Sequence, residues 1–288
     1  MPHQKKMDKE SPFHWKKMAE DGIMSDLWLM DRDDPRPVKD FHGASILQFN
    51  EAVIRRWGFP DCWMWDMFAG SGTSAYAADN LGVNVFLSDL NPLQDPWVGD
   101  HFIHYGDATR VHIVDCSPRL ATGGPYPAYK IVGAEHFETF KFDLVFAHPP
   151  YHDIIQFSDK PADLSAQPSP TQFLNLWDKV VCNAMHHLKV GGYFVALVGD
   201  IWITADRAKA HGGPAGYYPL TYRCLEGAMK VARVWGHDPM LKAVVVKDIK
   251  GNEFKGPGRN LALARYARWG TVEFKKEIAF AIQKRRDG

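Results

Sequence analysis

Apolar positions follow two alternating patterns from about Ile46 onward. Helical spacing predicts helices over 45–57, 74–82, 170–192 and 217–232. Compact apolar runs bounded by turn residues predict strands over 62–68, 83–89, 101–107, 142–147, 193–200, 232–236 and 242–248. Strands that alternate with helices favour an α/β fold, a mostly parallel sheet covered by helices on both faces. In such a sheet ligands bind at the carboxyl ends of the strands.

Less regular stretches divide the chain further. Residues 1–40 are polar and are predicted to be an N-terminal extension, and 249–288 a basic C-terminal segment, on either side of a domain over 41–248. Irregular stretches that interrupt this domain are predicted to be loop insertions over 112–138, 158–170 and 203–216. All of them follow predicted strands near the ligand edge, so they are candidates for substrate contact, with simple surface connection as the alternative.

The composition is that of an ordinary globular protein, with 45% hydrophobic and 24% charged residues. The four cysteines form no C-x-x-C pair, which argues against a zinc site or a disulfide framework and favours a reducing compartment. The first residues lack the apolar run of a signal peptide, and no stretch approaches the roughly 20 apolar residues of a membrane span. We therefore expect a cytoplasmic protein without a membrane or a metal partner.

The charge is unevenly distributed along the chain. The formal net charge is zero, yet residues 223–288 contain 15 Lys and Arg against 7 Asp and Glu. A basic region on an otherwise acidic chain indicates a face for a polyanion such as a nucleic acid. The alternative is a solvated surface helix.

A glycine-rich turn, DMFAGSGT, follows the first predicted strand of the alternating region. Gly70 and Gly72 allow a tight turn and the close approach of a ligand to the backbone, but the stretch matches neither G-x-G-x-x-G nor a phosphate-binding loop. Asp89, at the tip of the next strand, can accept hydrogen bonds from both hydroxyls of a ribose. S-adenosylmethionine, a nucleoside without phosphate, fits this pattern. Asp107 could hold the adenine edge, or serve only as a cap or turn residue.

The strand over 142–147 stops at the turn HPPY, formed by His148, Pro149, Pro150 and Tyr151. Prolines cannot continue a ladder, so the carbonyls of this turn are available to a ligand beside the cofactor. The Pro149 carbonyl and neutral His148 could accept the two N–H groups of an exocyclic amine, while Tyr151 stacks on the base. Such a base must be flipped out of a duplex or already be single-stranded.

FAGSGT together with HPPY resembles the amino-methyltransferases that modify exocyclic nitrogens of DNA bases. The resemblance covers roughly 41–248 and implies a Rossmann-like class I methyltransferase fold with a mostly parallel seven-stranded sheet. It also implies that S-adenosylmethionine is bound by Phe41, His42, Gly43, Asp66, Phe68, Ala69, Gly70, Gly72, Thr73, Asp89 and Asp107. It implies catalytic roles for His148, Pro149, Pro150 and Tyr151. The departure is His148, where the family usually has Asp, Asn or Ser.

These observations lead to a functional hypothesis: S-adenosylmethionine-dependent methylation of duplex DNA with a flipped target base, adenine N6 in preference to cytosine N4, as in restriction–modification. The alternatives are methylation of an RNA base or a protein glutamine, and a catalytically inactive nucleic-acid-binding module of the same fold. Because no large separate recognition domain is visible, we expect either a short target sequence or a partner that supplies specificity. A homodimer is also compatible with the sequence.

Overall fold

The computed structural model describes residues 7–30, 44–93, 95–110, 140–249 and 277–287. The strands are, in chain order, β1 Leu27–Met30, β2 Trp63–Asp66, β3 Asn84–Asp89, β4 Trp97–Val98, β5 His101–Tyr105, β6 Phe142–Ala147, β7 Leu188–Gly199, β8 Ile201–Ile203, β9 Gly216–Tyr218, β10 Pro239–Ile249 and β11 Glu277–Lys284. The α-helices are α1 Trp15–Glu20, α2 Leu47–Trp57, α3 Thr73–Leu81, α4 Pro170–His187, α5 Ala205–His211 and α6 Leu220–Val234. Short 3-10 helices occur at His152–Ile154 and Leu164–Ala166.

Nine of these strands form one sheet in the order β1-β10-β11-β7-β6-β2-β3-β5-β4. The pairs β2/β3, β3/β5, β2/β6, β6/β7 and β1/β10 are parallel, whereas β11 is antiparallel to both of its neighbours. The chain builds outward from β2 to β3 and β5, then crosses to β6 on the other side. The strand order therefore reverses between β2 and β6, which is where ligands bind in open α/β sheets.

Helices cover both faces of the sheet, as the sequence predicts. On one face α4 and α6 bury Trp177, Val180 and Cys224 against alternate residues of the central strands. On the other face α2 and α3 bury Phe49 and Ala77 against the intervening residues. Strand β7 shows the alternation clearly, because Val195 and Leu197 face the second core while Phe194, Ala196 and Val198 face the first. None of the described helices combines the length and the apolar character needed to cross a membrane.

Two predictions, next to β7 and at the end of α6, were wrong. The helix predicted over 170–192 ends at His187, and β7 begins at the next residue. Lys284, fully buried on β11, donates hydrogen bonds of 2.9 Å to the carbonyls of Met185 and Leu188 and so satisfies the helix end. The strand predicted over 232–236 does not form, since α6 continues to Val234.

The sheet extends beyond the predicted domain boundaries at both ends. Within the predicted extension 1–40, β1 pairs in parallel with β10, and Trp28 is buried in the core. Within the predicted basic segment 249–288, β11 inserts between β7 and β10. Its residues Ala279 to Ile282 are fully buried, so this part of the segment is core rather than a charged surface. Residues 250–276 lie outside the described part of the chain.

The predicted insertions differ in character. Residues 203–216 are largely regular: they include α5, and β8 pairs with β9 across them. Residues 158–170 contain a 3-10 helix and cover the cavity described below. The remaining predicted insertion, 112–138, lies outside the described residues.

Phe280→Ala tests the place of β11 in the core. Phe280 is fully buried and packs against Phe194, so its truncation leaves a cavity and should lower the free energy of unfolding by about 3–5 kcal/mol in urea titrations. Val234→Ala is the control, because Val234 is 75% exposed and should change the same quantity by less than about 0.5 kcal/mol. Equal small losses in both variants would contradict a buried β11.

Candidate active site

A cavity of about 400 Å³ opens where the strand order reverses, at the carboxyl ends of β2, β3 and β6. Asp66 ends β2, Asp89 ends β3, and His148 follows the last residue of β6. Of the residues proposed from the sequence, the cavity is lined by Asp66, Phe68, Ala69, Gly70, Thr73, Asp89, His148, Pro149, Pro150 and Tyr151. Phe41, His42 and Gly43 lie outside the described residues.

The glycine-rich turn connects β2 to α3 along the cavity wall. Gly70 and Gly72 both adopt positive φ, at 51° and 77°, which an L-residue rarely tolerates. A Cβ on Gly72 would lie 2.5 Å from the Val98 side chain, so this glycine allows the turn to pack on β4 and does not itself line the cavity. The hydroxyl oxygen of Ser71, in contrast, is buried at the cavity wall with no hydrogen-bond partner in the described chain.

Asp66 is held by a chain of buried hydrogen bonds. Ser45 donates to Asn50 at 2.7 Å, Asn50 donates to Ser74 at 3.0 Å, and Ser74 donates to Asp66 at 2.5 Å. The amide of Phe68 also donates to the Asp66 carboxyl. Burial nevertheless dominates and raises the pKa of Asp66 to about 7, although these hydrogen bonds favour the carboxylate.

Asp89 is fixed by backbone amides on both of its oxygens. Gly70 N–H donates to Oδ2 at 2.9 Å, and Asn91 N–H donates to Oδ1 at 2.7 Å. Burial raises the pKa of Asp89, and the two amide hydrogen bonds only partly offset it. Each carboxylate oxygen has more than one lone pair, so this geometry orients Asp89 and still leaves acceptors for a ligand.

Asp107 lies in a turn rather than on the cavity wall. Its carboxylate accepts from the Thr109 amide at 2.9 Å and the Thr109 hydroxyl at 2.6 Å, and Arg110 lies 3.1 Å away. The neighbours Gly106, Ala108 and Thr109 line the cavity instead. The residue therefore shapes the backbone that borders the cavity.

The HPPY turn begins where the ladder of β6 ends. Phe146 still pairs with β2, and Ala147 with β7, whereas the two prolines beyond them do not belong to the sheet. The Tyr151 ring packs closely on Gly199 of β7, where a Cβ would lie 2.8 Å from two ring atoms. Gly199 therefore leaves room for the ring at the cavity wall.

A charged network lies behind this turn and was not predicted from the sequence. Tyr151 Oη donates to Glu277 Oε1 at 2.5 Å, and His148 Nε2 lies 2.8 Å from the same hydroxyl. Lys247 Nζ donates to Glu277 Oε2 and is itself buried, with an exposed fraction of 4%. Glu277 begins β11 directly opposite Gly199. The only sequence signal for these residues is a charge at the end of each apolar run, AVVVKDI and EIAFAI, which is also typical of solvated strand ends.

The segment after the turn covers the cavity. Ile154, Ile155 and Phe157 line it and are 36–49% exposed, which leaves an apolar rim. Further along, Asp163 accepts hydrogen bonds from Asn91 at 3.2 Å and from Ser158 at 2.6 Å. These contacts connect the cover to the end of β3.

Across the described ranges, no group of three or more His, Cys, Asp or Glu side chains is arranged to hold a metal ion. His101 and His104, which stand close together in the sequence, contact different partners: His101 lies 2.7 Å from Asp79, and His104 stacks on Phe86. Burial lowers the pKa of His104 to about 4, so its ring is neutral in the core.

No protein-family model matches the chain, and no curated protein matches it in sequence. Among solved structures it is similar to TrmN from Thermus thermophilus, with 14% identity, a TM-score of 0.46, and coverage of 84% of this chain and 50% of that one. It is also similar to an S-adenosylmethionine-dependent methyltransferase from Mesorhizobium loti, at 13% identity, a TM-score of 0.37, and coverage of 78% and 92%.

A third similar structure is the candidate DNA modification methylase TTHA0409 from Thermus thermophilus, complexed with S-adenosyl-L-methionine. It shows 18% identity and a TM-score of 0.33, with coverage of 54% of this chain and 53% of that one. The chain thus spans about half the length of TrmN and of TTHA0409. The fold is Rossmann-like, as its own strand order and register show. Six of the seven predicted strands form, β11 takes the place of the one predicted over 232–236, and β1 and β4 are added at the edges.

Asp66→Asn tests the buried carboxyl through the pH dependence of stability. The folded state retains the Asp66 proton up to about pH 7, whereas an unfolded aspartate loses it near its ordinary value of 3.8. This contribution to stability is therefore present at low pH and is lost as the pH rises through about 7. Between pH 5 and 8 the free energy of unfolding should fall by roughly 1–3 kcal/mol less in the variant than in the wild type.

Urea titrations at several pH values measure this difference. Asp26→Asn is the control, because the Asp26 side chain is 83% exposed and its replacement should leave the profile parallel to that of the wild type. An Asp66→Asn profile that also runs parallel to the wild type would mean that Asp66 is ionised in the folded protein.

Proposed function

We propose that the protein is an S-adenosylmethionine-dependent methyltransferase that modifies an exocyclic amino group of a DNA base, adenine N6 in preference to cytosine N4. One observation carries the proposal: the HPPY turn and the carboxylates at the ends of β2 and β3 line the same cavity. A nucleoside held by the carboxylates would lie beside an amine held by the turn.

The cavity suits a cationic nucleoside better than a phosphorylated one. Its lining includes the four acidic residues Asp66, Asp89, Asp163 and Glu277, of which Asp66 keeps its proton up to about pH 7. The lysine in the lining, Lys247, already pairs with Glu277. The Gly70 amide, which a phosphate would require, donates to Asp89 instead. A volume of about 400 Å³ is in the range of small-molecule sites.

S-adenosylmethionine fits this donor and acceptor set. Asp89, oriented by Gly70 and Asn91, would accept from the ribose hydroxyls. The buried, unpartnered hydroxyl of Ser71 would find its hydrogen bond on the ligand. When bound, S-adenosylmethionine supplies an electrophilic methyl group on a sulfonium, so the protein has mainly to position the acceptor nitrogen.

The HPPY turn can hold that nitrogen. An exocyclic amine has its lone pair delocalised into the ring, and hydrogen bonds from both of its N–H groups to the turn would direct the lone pair toward the methyl group. The Pro149 carbonyl is one acceptor and the neutral imidazole of His148 is the other. The Tyr151 ring, held against Gly199, and the apolar rim around Phe157 offer flat surfaces to a flipped base.

Transfer of a labelled methyl group tests the substrate class. The protein is incubated with labelled S-adenosylmethionine and, separately, with unmethylated duplex DNA, single-stranded DNA, RNA and protein extracts. We expect label in DNA, recovered as N6-methyladenine after digestion to nucleosides. Label confined to RNA or to protein glutamine would move the proposal to that substrate, and cofactor binding without any transfer would indicate an inactive nucleic-acid-binding module.

His148→Ala tests the acceptor. The kcat of this variant should be at least tenfold lower than that of the wild type, with little change in the affinity for S-adenosylmethionine. The reason is that His148 is expected to contact the target amine and not the cofactor. His101→Ala, outside the cavity lining, should leave kcat unchanged. A His148→Ala variant with the wild-type kcat would exclude His148 from the mechanism.

Asp89→Ala tests the ribose contact by calorimetry. Loss of an oriented carboxylate should weaken S-adenosylmethionine binding on the order of 10-fold to 100-fold. Asp79→Ala is the matched control, because the Asp79 side chain is 59% exposed and lies outside the cavity lining. Unchanged affinity in Asp89→Ala would place the nucleoside elsewhere.

A further inference from the structure

The network behind the HPPY turn has a defined direction of proton donation. Burial opposes ionisation of Glu277, but the neighbouring His148 and Lys247 hold the pKa of Glu277 well below its usual range. The Lys247 ammonium, which donates to Oε2, favours the carboxylate whichever proton His148 carries. Burial and the Glu277 charge raise the pKa of Tyr151 well above its usual value. At neutral pH the carboxylate therefore only accepts and the phenol keeps its proton.

This direction determines which nitrogen of His148 carries hydrogen. The single hydroxyl proton of Tyr151 is donated to Glu277 over 2.5 Å. His148 Nε2 lies 2.8 Å from the same oxygen, so the hydroxyl can only accept there, and Nε2 must carry a proton. In the neutral imidazole Nδ1 is then the unprotonated nitrogen.

Nδ1 is the nitrogen of His148 that is open to a ligand. His148 lines the cavity, and its only polar contacts within the described chain are made through Nε2 to Tyr151 and, at 3.8 Å, to Glu277. Nδ1 is neither hydrogen-bonded nor enclosed there. A lone pair is thus left free at the cavity wall, where an acceptor for an amine is required.

We propose that Glu277 and Lys247 are positioning residues that act through Tyr151 to hold His148 as the Nε2–H tautomer, with the Nδ1 lone pair presented to the target amine. The last part of this inference rests on the proposed function, whereas the tautomer does not. The fixed tautomer also explains how histidine can occupy a position that needs an acceptor side chain. Without the network, the imidazole could present an N–H to the amine instead of a lone pair.

Lys247 has a second role in this arrangement. An unpaired Glu277 carboxylate 3.8 Å from His148 would favour the imidazolium, which has no lone pair to offer. The Lys247 ammonium, on the far oxygen of the same carboxylate, offsets that charge. The ionisable groups that reach His148 in the described chain are Tyr151 of its own turn, Glu277 of β11 and, through Glu277, Lys247 of β10.

The tautomer can be measured by NMR on protein with 15N-labelled histidine, at pH 8 and without substrate. Two-bond correlations should show His148 with a protonated Nε2 and an unprotonated Nδ1. In Glu277→Leu/Lys247→Met, which removes both charges together, the Tyr151 hydroxyl can donate to His148 instead. The His148 signals should then shift toward the Nδ1–H form, and kcat should fall at least tenfold while the affinity for S-adenosylmethionine stays within about threefold.

Tyr151→Phe provides an independent variant if the double replacement does not fold. It keeps the ring on Gly199 and removes only the hydroxyl that accepts from Nε2, so the His148 signals should shift away from the Nε2–H form, although less than in the double variant because Glu277 remains 3.8 Å from Nε2. Asp238→Asn/Arg285→Met is the matched control. This exposed ion pair, 2.8 Å apart, joins the start of β10 to the end of β11, at the end of the ladder that is far from Lys247 and Glu277. It should change neither the His148 signals nor kcat.

The outcomes separate this inference from the proposed function. A wild-type His148 that is Nδ1-protonated or doubly protonated at pH 8 overturns the inference even if DNA is methylated. Unchanged His148 signals in both Tyr151→Phe and the double variant also overturn it. The protein could instead methylate no substrate, while the Nε2–H form is observed in the wild type and lost in the variants. That result would refute the proposed function and leave the inferred network intact.

Discussion

Parallel pairing of β2, β3 and β6 brings three chain ends to one edge of the sheet, and the candidate site depends on this constraint. Asp66 pairs with Leu87 and Phe146, so the carboxylates of Asp66 and Asp89 and the turn after Ala147 cannot lie far apart. Because the strand order reverses between β2 and β6, the edge opens there into a cavity rather than closing against a crossover helix. The chemistry of the cavity then follows from which side chains stand at those ends.

The last described strand completes what the parallel strands begin. β11 runs antiparallel between β7 and β10, which places its first residue, Glu277, opposite Gly199 and next to Lys247. A buried ion pair contributes little to stability on average, because desolvation offsets most of the attraction. Its position behind Tyr151 and His148 therefore suits a role in orienting the turn better than a role in holding the sheet together.

Local sequence patterns indicated the fold class and the places where acidic residues and the proline turn end their strands. Asp89 and His148 could be placed at one edge because each comes at the end of a short apolar run that is marked by Gly, Pro or Asp. Asp66 falls inside the strand predicted over 62–68 and was assigned to the site by the resemblance. The end of α4 could not be read in this way, since its carbonyls are satisfied by Lys284, about a hundred residues further on. Glu277 and Lys247 were missed for the same reason: each resembles a solvated strand end until long-range pairing buries it.

The central position of β11 also has a consequence for how the protein folds. Strands β7 and β10 are not hydrogen-bonded to each other, so both expose an edge until the chain past residue 277 docks between them. Such non-local pairing is slow relative to local helix formation. The same docking event brings the Glu277 carboxylate to the Tyr151 hydroxyl, so the contacts behind the HPPY turn form only as the sheet closes. A nascent or partly folded chain would thus lack the wall of the cavity that Glu277 provides.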